Sequence, residues 1–399
     1  MKSIIPLALL AGLVSAGPTA VSVAKRATCT PTSAKNAGID DVPAIAAAIK
    51  SCGNNGIIVI PAGVTYAIRS VLSFAGCVNC DFQVEGTLKL SDDTTFWNGK
   101  RTVYDITGIA GLHMHSVTGT GLIDGNGVPY WTLFGQNSSF ARPTLVSISG
   151  SKSITISNLH FRNAPNVFHS VSGASSDIIY DGLQMDATST ATAIAKNTDG
   201  FDVGSSTRVT IRNTNVINQD DCVALKPGSD HALVQNITCN GSHGLSVGSL
   251  GGGAGSRDTV TNAFLGPATM INSAKAVGIK LWEGGSAHGI ATVSNVTWSD
   301  ITVQNCDYAV QIQSCYEAAN TASCIANTDV LSGVVFRNIV GTTSTHFSPT
   351  VANINCSPSA TCNVTIPGFN VRPPSGTARV LCSNIDGSLG VTCGGAASG

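Results

Sequence analysis

The clearest indication of the fold is the run Ile154-Thr155-Ile156-Ser157-Asn158-Leu159-His160-Phe161, because variants of it recur along the chain. It is a short strand pattern rich in Ile and Thr, with an Asn where the chain must turn. Comparable runs begin at Ile178, Val209, Ala232, Val293 and Val334. The first run repeats after 24 residues (178 − 154) and the third after 23 (232 − 209). A β repeat of about this period predicts an all-β fold, a single-stranded right-handed parallel β-helix, or solenoid.

Other architectures fit the sequence less well. A leucine-rich repeat needs a recurring Leu and Asn pattern that is missing, and a sandwich would show shorter periods and hairpin turns such as Asn-Gly. The 43 Gly residues and the charged fraction of 11% suit short strands and many turns rather than a helical bundle. The formal net charge of −1 and the lack of a clustered basic patch argue against nucleic acid as a partner.

The N-terminus has the pattern of a secretory signal. Lys2 precedes the apolar run Ile4–Val14, and the small residues Ser15-Ala16-Gly17 follow. This apolar run is too short for a membrane span. The pair Lys25-Arg26 resembles a dibasic processing site, so we expect a secreted, extracellular protein that does not enter a membrane. The predicted organisation is a signal peptide at residues 1–17, a propeptide at residues 18–26 and a β-helix domain at residues 27–399.

One segment, Asp40–Cys52, has apolar residues at helical spacing and is the only convincing helix of the sequence. The pair Asp40-Asp41 is expected to open it, because acids favour a helix N-terminus. We expect this short helix to cap the N-terminal end of the solenoid, whose first coil would otherwise expose apolar core and unpaired strand edges. The runs Gly56–Pro61 and Phe82–Leu90 are predicted strands.

Thirteen cysteines, all after the predicted signal peptide, indicate an oxidising compartment. The favoured disulfides are Cys222–Cys239, Cys315–Cys324, Cys356–Cys362 and Cys382–Cys393. Because the count is odd, one thiol is expected to stay free, and Cys306 in a strand-like run is our choice. A zinc site at Cys77-Val78-Asn79-Cys80 has little support, since no second pair or histidine cluster lies at metal spacing.

Five Asn-X-Ser/Thr sequons are candidate N-glycosylation sites of a secreted chain. They are Asn137, Asn236, Asn240, Asn295 and Asn363.

The stretch between residues 197 and 280 gathers the residue types that carry chemistry: Asn197, Asp199, Asp220, Asp221, His243 and Lys280. The second and third acids follow the first by 21 and 22 residues, and the histidine follows the third acid by 22 (243 − 221). The insert Gly251–Gly255 accounts for much of the longer gap before the lysine. Because strands of neighbouring coils stack about 4.8 Å apart, these intervals predict a cleft lined by three acids, an imidazole and an ammonium.

Such a set suits the hydrolysis of a glycosidic bond. One protonated carboxyl donates to the leaving oxygen while a carboxylate activates water, at a separation of about 6.5–9.5 Å in inverting enzymes. Crowding of the acids raises one pKa, so that one member keeps its proton. Taken singly, each residue is more often a solvated surface or turn residue, and a calcium site built from the acids is a further alternative. The combination, in step with the repeat, favours catalysis.

Four segments resemble, in order, the signature segments of the polygalacturonase family of pectin hydrolases: Asn197-Thr198-Asp199, Asp220-Asp221, Ser242-His243-Gly244 and Ile279-Lys280. The segment Gly119–Gly127 followed by Tyr130-Trp131 is similar to an upstream segment of that family. The resemblance extends from about Cys29 to Cys393. It implies a right-handed parallel β-helix that hydrolyses α-1,4-galacturonide bonds of pectic polysaccharides with inversion, without a metal or other cofactor.

The resemblance also implies roles for individual residues. Asp220 resembles the general acid, and Asp199 and Asp221 resemble the pair that activates water. His243 is similar to the histidine that supports the protonation of the acid. Three further residues are implied at the substrate: Lys280 as a ligand of a substrate carboxylate, Tyr316 as a lining residue of the cleft, and Asn197 as a residue that positions its neighbours.

Gly278 departs from the family, which commonly has Arg-Ile-Lys where this chain has Gly278-Ile279-Lys280. The bidentate arginine fork is missing, and glycine is expected to leave space for a bulkier substrate. Xylogalacturonan, whose galacturonates carry xylose, fits both changes. Gly278–Trp282 and Leu389–Cys393 are also most similar to the fungal endo-xylogalacturonan hydrolases of the family. Unbranched polygalacturonan, cut internally or from an end, and rhamnogalacturonan are the alternative substrates.

Two other classes stay open on the sequence. A pectate lyase shares the β-helix but uses calcium and an arginine base, and the chain holds no arginine between Asp221 and Arg257. A non-catalytic β-helix that binds cell walls would not need the intact set of three acids. The sequence does not decide between endo and exo action, and we expect a monomer because a solenoid with capped ends needs no partner.

Overall fold

The computed structural model describes Met1, residues 26–318 and residues 325–398. The predicted signal peptide (residues 1–17) and propeptide (residues 18–26) lie outside the described residues, apart from Met1 and Arg26. In the part of the chain that is described, no helix is long and apolar enough to cross a membrane.

The first half of the chain forms β1 (Thr28–Cys29), α1 (Val42–Cys52), β2 (Ile57–Ile60), β3 (Thr65–Ile68), β4 (Leu72–Ser73), β5 (Val78–Val84), β6 (Thr87–Leu90), α2 (Thr94–Trp97), β7 (Thr102–Thr107), β8 (Ala110–His115), β9 (Leu122–Asp124), α3 (Val128–Gln136), β10 (Thr144–Ser149), β11 (Lys152–Ser157), β12 (His160–Arg162), β13 (His169–Ser172), β14 (Ser175–Asp181) and β15 (Gln184–Asp186).

The second half forms β16 (Phe201–Val203), β17 (Ser206–Ile217), β18 (Val223–Leu225), β19 (Ser229–Asp230), β20 (Leu233–Asn240), β21 (Leu245–Leu250), β22 (Arg257–Leu265), β23 (Ala268–Ile271), β24 (Lys275–Trp282), β25 (Ile290–Cys306), β26 (Tyr308–Tyr316), β27 (Val330–Thr343), β28 (Thr350–Asn355), β29 (Thr361–Thr365), β30 (Asn370–Arg372) and β31 (Arg379–Ser383).

These strands wind into a right-handed parallel β-helix, as predicted. The repeats that predicted the fold stack in register: Ile154 pairs with Ile178, and Ile178 with Val209. One 11-stranded sheet, here named the cleft sheet, consists of β4, β7, β10, β13, β16, β18, β21, β24, β26, β28 and β31. The other strands form the remaining faces of the solenoid. The repeat spacing in the sequence therefore corresponds to the coils of the helix.

The core under the cleft sheet is a ladder of inward side chains, one from each coil. Its central members pair in register and are buried: His169, Phe201, Val223, Leu245, Val277 and Val310. Alternation along each strand puts every second residue on the outer face of the sheet. On that face Asp202, Ala224, Ser246, Gly278 and Gln311 follow one another from coil to coil.

Helix α1 caps the N-terminal end, as predicted, with Val42, Ile45 and Ile49 buried and contacts to β1, β2 and β4. The prediction that both acids open the helix is only half right. The Asp40 carboxylate accepts the N–H of Val42 at 3.2 Å. The buried Asp41 carboxylate instead accepts bonds from Ser33 Oγ and from the N–H groups of Ala34 and Ala67, so it ties the entering chain to the first coil.

The prediction of a single helix is wrong, because α2 and α3 are also helical. Helix α3 contains Tyr130 and Trp131 of the upstream motif, both buried. Tyr130 Oη donates to Ser91 O at 2.7 Å and Trp131 Nε1 donates to Ala164 O at 2.9 Å. The motif thus fixes a helix against neighbouring coils. The predicted strand Phe82–Leu90 is likewise two strands, interrupted at Glu85 and Gly86.

The described disulfides include three predicted ones, Cys222–Cys239, Cys356–Cys362 and Cys382–Cys393. Two more join Cys29 to Cys52 and Cys77 to Cys80, so the second of these removes any basis for a zinc site there. Cys306 is free and buried, as predicted. Cys324 lies outside the described residues, so the Cys315–Cys324 pairing stays a prediction.

Four of the five sequon asparagines are exposed, namely Asn137, Asn236, Asn295 and Asn363. Asn236 and Asn295 belong to amide ladders on the turns, where each donates its Nδ2 to an asparagine of the preceding coil, Asn213 and Asn262 respectively. Asn240 is half-buried, and the hydroxyl residue of its sequon, Ser242, is fully buried. Glycosylation of the five sites stays a prediction.

Candidate active site

The acids of the motif stretch line one cleft of about 600 Å³. The cleft lies along the cleft sheet and is walled by the segment after α3; its lining includes Phe140, Arg142, Asn197, Asp199, Asp202, Asp220, Asp221, Lys226, Lys280 and Tyr316. A second cavity of about 530 Å³ lies at the N-terminal end around Arg69 and Lys89. It contains none of the clustered acids, so we place the candidate site in the first cleft.

The three acids lie on turns that lead into neighbouring strands. Asp199 precedes β16, and Asp220 and Asp221 precede β18, which pairs with β16. The closest ligand oxygens of the three carboxylates all lie within 4.8 Å of one another. The predicted neighbourhood is confirmed, but this distance is shorter than the 6.5–9.5 Å expected for inverting enzymes. Side chains that start from coils about 4.8 Å apart converge when they face the same cleft.

A buried amide holds the two acid-bearing turns together. Asn218 Nδ2 donates to the carbonyls of Thr198, Asp220 and Asp221 at 2.8, 3.0 and 2.9 Å. Thr198 Oγ1 accepts the N–H of Gln219 at 3.1 Å and donates to Ala195 O. These bonds join the two turns through buried side chains and so fix the spacing between them.

Asp221 is the most enclosed of the three acids, with 1% of its side chain exposed. Its Oδ2 lies 2.5 Å from Lys280 Nζ, and its Oδ1 accepts a bond from Ser246 Oγ at 2.7 Å. Lys275 Nζ lies 3.9 Å from the same Oδ1. Two ammonium groups and a hydroxyl therefore surround this carboxylate and hold it in one position.

Asp220 is the most accessible of the three acids, with 15% of its side chain exposed. Its Oδ1 accepts the N–H of Asp221 at 2.8 Å and lies 3.2 Å from His243 Nδ1. Its Oδ2 accepts a bond from Asn197 Nδ2 at 3.2 Å. Burial alone would raise the pKa of Asp220, but the hydrogen bond and charge of His243, with the charge of Lys280, lower it below its usual range.

Asp199 differs from Asp220 in its electrostatics. Burial, with the charges of Asp202 and Asp220, raises the pKa of Asp199 well above its usual range. Burial also raises the pKa of Asp202, although Lys226 Nζ lies 3.5 Å from Asp202 Oδ1 and 3.9 Å from Asp199 Oδ2. Burial and neighbouring carboxylates therefore favour the protonated form of Asp199 and Asp202, whereas His243 and Lys280 favour the ionised form of Asp220.

Lys280 and Tyr316 lie where the resemblance implies, in the lining of the cleft. Lys280 sits opposite Gly248 of the preceding coil, and its Nζ lies 5.4 Å from the centre of the Tyr316 ring. Burial would lower the pKa of Lys280, but the charge and hydrogen bond of Asp221 raise it above the usual value. Its ammonium therefore stays charged beside the cleft, where an anionic group of a substrate could meet it.

The prediction that Gly278 leaves open space is wrong. A Cβ built at this buried glycine would lie 2.1 Å from the backbone oxygen of Gln311 and 2.9 Å from Lys275 Cδ. The neighbouring coil and the Lys275 side chain therefore occupy the volume that a side chain would need. Lys275 is buried, and burial lowers its pKa to about 8 despite the nearby Asp221 charge. Glycine is required here by close backbone approach, and it does not widen the cleft.

Sequence reasoning missed the cleft-lining residues Arg142, Asp202 and Lys226. It also missed Ser246 and Lys275, which lie beside Asp221 under the cleft. The strand alternation Phe201-Asp202 could have identified Asp202, since a residue next to an inward aromatic faces outward. Register could similarly have placed Ser246 beside Gly278. Arg142 lies 55 residues before Asn197, in an irregular segment, and no periodic signal points to it.

The three acids also form a set whose spacing would suit a metal ion. Their surroundings favour another function, because the ammonium groups of Lys280 and Lys226 lie 2.5 Å from Asp221 and 3.9 Å from Asp199. A divalent cation between these carboxylates would meet two positive charges at short range. The residues present therefore suit acid–base chemistry better than calcium binding.

Comparison with known proteins also indicates a glycoside hydrolase. The family model described as Glycosyl hydrolases family 28 matches residues 52–393. The chain is 51% identical over 380 residues to a probable endo-xylogalacturonan hydrolase A of Aspergillus oryzae, covering 95% of this chain and 93% of that protein. It is 49% identical over 396 residues to endo-xylogalacturonan hydrolase A of Aspergillus tubingensis, covering 97% of each.

Two solved structures are similar in fold. The crystal structure of endo-xylogalacturonan hydrolase from Aspergillus tubingensis matches with a TM-score of 0.91 and 48% identity, over 94% of this chain and 100% of that one. A polygalacturonase from Erwinia carotovora ssp. carotovora matches with a TM-score of 0.68 and 19% identity, over 89% and 96% of the two chains. At that identity the second match supports the β-helix alone.

Proposed function

The chain belongs to the glycosyl hydrolases of family 28, and from that premise we propose that it cleaves internal α-1,4-galacturonide bonds of xylogalacturonan. It is a glycoside hydrolase, so the lyase and the non-catalytic wall-binding protein are no longer alternatives. The observation that carries the proposal is the cleft itself, in which three carboxylates approach within 4.8 Å beside lysine ammonium groups. The acids suit glycoside hydrolysis, and the cations suit a uronate substrate.

The relatives support the substrate class more directly than the cleft does. Proteins about half identical over more than nine tenths of the chain are named endo-xylogalacturonan hydrolases. The filled space at Gly278 no longer argues for a branched substrate. Xylose side chains are therefore proposed from the relatives, and unbranched polygalacturonan and rhamnogalacturonan become outcomes of the test below.

In the proposed reaction Asp220 donates a proton to the leaving glycosidic oxygen. It has the most exposed side chain of the three motif acids, and the half-exposed His243 borders it. In the free cleft the surroundings lower the pKa of Asp220 and raise that of Asp199. A uronate carboxylate that enters beside Lys280 adds negative charge near Asp220 and raises its pKa, which favours the transfer of a proton to it.

Asp199 and Asp221 orient the water in this proposal, and Lys280, Asn197 and Tyr316 contact or position the substrate. Asp221 is fixed by Lys280 and Ser246, so it contributes a preorganised negative charge near the forming oxocarbenium ion. Asp199 passes its proton to Asp220 and then serves as the base that takes a proton from the attacking water, with Lys226 to stabilise its charge. No metal or other cofactor takes part in the proposed steps.

Inversion at the anomeric carbon is proposed from the family resemblance, since the short acid separation does not itself predict it. Proton NMR of the first product formed is the direct measurement. We expect the β-anomer from the α-linked substrate before mutarotation. Initial appearance of the α-anomer would overturn the inverting mechanism while leaving the substrate proposal intact.

Secretion and a monomeric state are proposed on separate grounds. The described disulfides fit an oxidising compartment, and the N-terminal sequence has the pattern of a secretory signal. Helix α1 covers the N-terminal end of the solenoid, so a second copy is not needed there.

The size distribution of early products tests the endo proposal. An endo-acting enzyme should release a ladder of oligosaccharides from xylogalacturonan and lower its viscosity before many reducing ends appear. Release of monomers or dimers only, with viscosity nearly unchanged, would contradict internal cleavage. The Asp220→Asn variant serves as the blank for contaminating pectinases.

A further inference from the structure

Arg142 is a buried cation of the cleft that the sequence motifs and the proposed mechanism do not use. It lies between α3 and β10, lines the cleft and is only 8% exposed. Its guanidinium carbon lies 3.7 Å from the centre of the Phe134 ring. Its Nη1 donates to Pro165 O at 3.0 Å and to Lys196 O at 2.6 Å. A group so enclosed is held in one position.

The same guanidinium reaches the acids through Asn197. Arg142 Nη2 donates to Asn197 Oδ1 at 2.9 Å. Asn197 Nδ2 in turn donates to Asp220 Oδ2 at 3.2 Å. The backbone of Asn197 is in the left-handed region, with φ of 59°, which Asn tolerates better than most residues. An arginine, an amide and a carboxylate therefore form a continuous chain of hydrogen bonds that ends on Asp220.

This arrangement fixes which end of the amide faces the acid. A guanidinium only donates hydrogen bonds and an ionised carboxylate only accepts them. The amide of Asn197 can satisfy both neighbours only with its oxygen toward Arg142 and its NH₂ toward Asp220. If the arginine were absent, the amide could rotate and present its oxygen to the carboxylate, which would leave an unfavourable pair of acceptors.

We propose that Arg142 is a positioning residue for the hydrolysis, which keeps the NH₂ of Asn197 on Asp220 Oδ2 and so fixes the plane of that carboxyl. This inference rests on the proposed function, because it concerns the acid of the proposed reaction. Arg142 acts through Asn197 and does not need to touch the substrate. Its remaining bonds, to Pro165 O and Lys196 O, hold the guanidinium against the turn that carries Asn197.

The charged and titratable groups around Asp220 come from several coils. His243 and the N–H of Asp221 contact its Oδ1, and Asp199, Asp221 and Lys280 surround it. Arg142, Lys226, Lys275 and Tyr316 also interact with it electrostatically. Loss of the Asn197 donor removes a bond to the ionised form, so the pKa of Asp220 rises. A general acid with a higher pKa stays protonated to higher pH, and the alkaline limb of the rate profile moves upward.

A double-mutant cycle on Arg142→Met and Asn197→Ala tests the inference, because methionine keeps the length and the contact with Phe134. Each single variant should lower kcat on xylogalacturonan by about tenfold to a hundredfold, as expected for a hydrogen bond to a charged group, with little change in KM. The double variant should be within about threefold of Asn197→Ala, since both changes break one chain of bonds. If the loss of kcat in the double variant equals the product of the losses in the two single variants, the inference is overturned.

Two further variants separate positioning from folding. Asn197→Asp retains a partner for Arg142 but sets an oxygen against Asp220, so kcat of the folded variant should fall and the alkaline limb should move to higher pH. An unchanged profile in this variant would contradict the inference even if Arg142→Met fails to fold. Arg212→Met, at a surface arginine paired with Asp181, should leave kcat and the profile as in the wild type.

The wild-type measurement in the same experiment separates failure of the proposed function from failure of the proposed role of Arg142. If the wild type cuts no pectic polymer, the proposed function fails before the cycle is read. If the wild type is active and the cycle is additive, only the role of Arg142 fails.

Discussion

At the scale of single residues, the cleft shows how neighbours in sequence acquire different chemistry. Asp220 and Asp221 are adjacent, yet Asp220 borders the half-exposed His243 while Asp221 is enclosed by Lys280, Lys275 and Ser246. One coil away, burial and two nearby carboxylates raise the pKa of Asp199 and so favour its protonated form. Three residues of one type are thereby divided into an accessible acid, a fixed charge and a proton reservoir.

This division predicts opposite effects of Asp199→Asn and Asp220→Asn on the pH dependence of stability. The folded pKa of Asp199 is raised, so the unfolded chain ionises first and the free energy of unfolding falls as pH rises above the unfolded pKa. The folded pKa of Asp220 is lowered, so its stabilisation is present above the unfolded pKa and is lost as pH falls.

The wild type should lose unfolding free energy toward neutral pH because of Asp199, and Asp199→Asn should not show that loss. The wild type should also lose unfolding free energy toward acid pH because of Asp220, and Asp220→Asn should not show that loss. Urea unfolding between pH 3 and pH 7 measures both. Each variant should also lower kcat by at least about a hundredfold. If the free energy of unfolding depends on pH in the same way in both variants, the opposite pKa shifts assigned to Asp199 and Asp220 are wrong.

Gly278 carries a second prediction at this scale. A Cβ there would meet Gln311 O at 2.1 Å, so Gly278→Ala should lower the free energy of unfolding by about 1–3 kcal/mol. A Cβ added at Gly135 in α3 would meet no such neighbour within 4 Å, so Gly135→Ala is the matched control and should be neutral or stabilising, as alanine favours helix. Thermal unfolding of both variants decides the point. A stable Gly278→Ala protein would restore the idea of open space.

At the scale of elements, the core ladder under the cleft contains an unusual member. His169 is fully buried, and neither of its ring nitrogens has a hydrogen-bond partner among the described residues. Its ring contacts Phe161, Tyr180 and Phe201, with centroids 4.5–5.2 Å apart. Burial lowers its pKa to about 3. The ladder therefore holds a neutral imidazole on β13, the strand that pairs with β16, which carries Asp202.

His169→Phe is predicted to reduce the sensitivity of the fold to acid. The unfolded histidine takes up a proton below about pH 6.5 while the folded one does so only near pH 3, so stability falls as pH drops between these values. At pH 4.5 this amounts to about 2–3 kcal/mol relative to neutral pH. Unfolding free energies of wild type and variant at pH 7 and pH 4.5 measure it. If the unfolding free energy changes equally between pH 7 and pH 4.5 in both proteins, His169 is not the source of the acid sensitivity. Any cost of the larger phenylalanine ring is the same at both pH values and cancels in this comparison.

The elements also show how far the sequence could predict the structure. The period of the strand runs predicted the coils, because one coil buries one repeat and pairs with the next in register. Helix α3 was not predicted, since its nine residues give too little periodicity and its position depends on bonds to Ser91 and Ala164. The break at Gly86 was missed because it depends on carbonyls of Pro61 and Val64, which lie in the turn between β2 and β3 of the preceding coil.

The same limit applies to the site. Acids at intervals of one coil could be found because the repeat itself places them together. The surroundings of Gly278 and the contact between Arg142 and Asn197 depend on side chains that meet across coils at no fixed spacing. Sequence intervals therefore predict which residues gather in the cleft, while burial and hydrogen bonding decide what each one does there.

At the scale of the whole molecule, the solenoid supplies a rigid floor on which several coils each contribute one part of the cleft. Strands β16, β18, β21, β24 and β26 stack in parallel and present Asp202, Ala224, Ser246, Gly278 and Gln311 in succession. Disulfides fix its ends, with Cys29–Cys52 joining α1 to β1 and Cys382–Cys393 closing the last coil. A site built on stacked strands is held more firmly than one built on loops.

Metal independence is expected at this scale. Lysines already lie beside the carboxylates that could have bound a cation. Activity on xylogalacturonan should therefore be the same after treatment with a chelator, and added calcium should not raise it. Loss of activity with chelator, restored by calcium, would contradict this prediction and indicate that the acids bind a metal ion.

We propose that this acid cluster hydrolyses xylogalacturonan in preference to other pectic polymers. The most direct test is the initial rate of reducing-end release on xylogalacturonan and on unbranched polygalacturonate, for the wild type and for Asp220→Asn. We predict a markedly faster rate on xylogalacturonan and loss of that rate in the variant. A faster rate on the unbranched polymer, or full activity of Asp220→Asn, would contradict the claim.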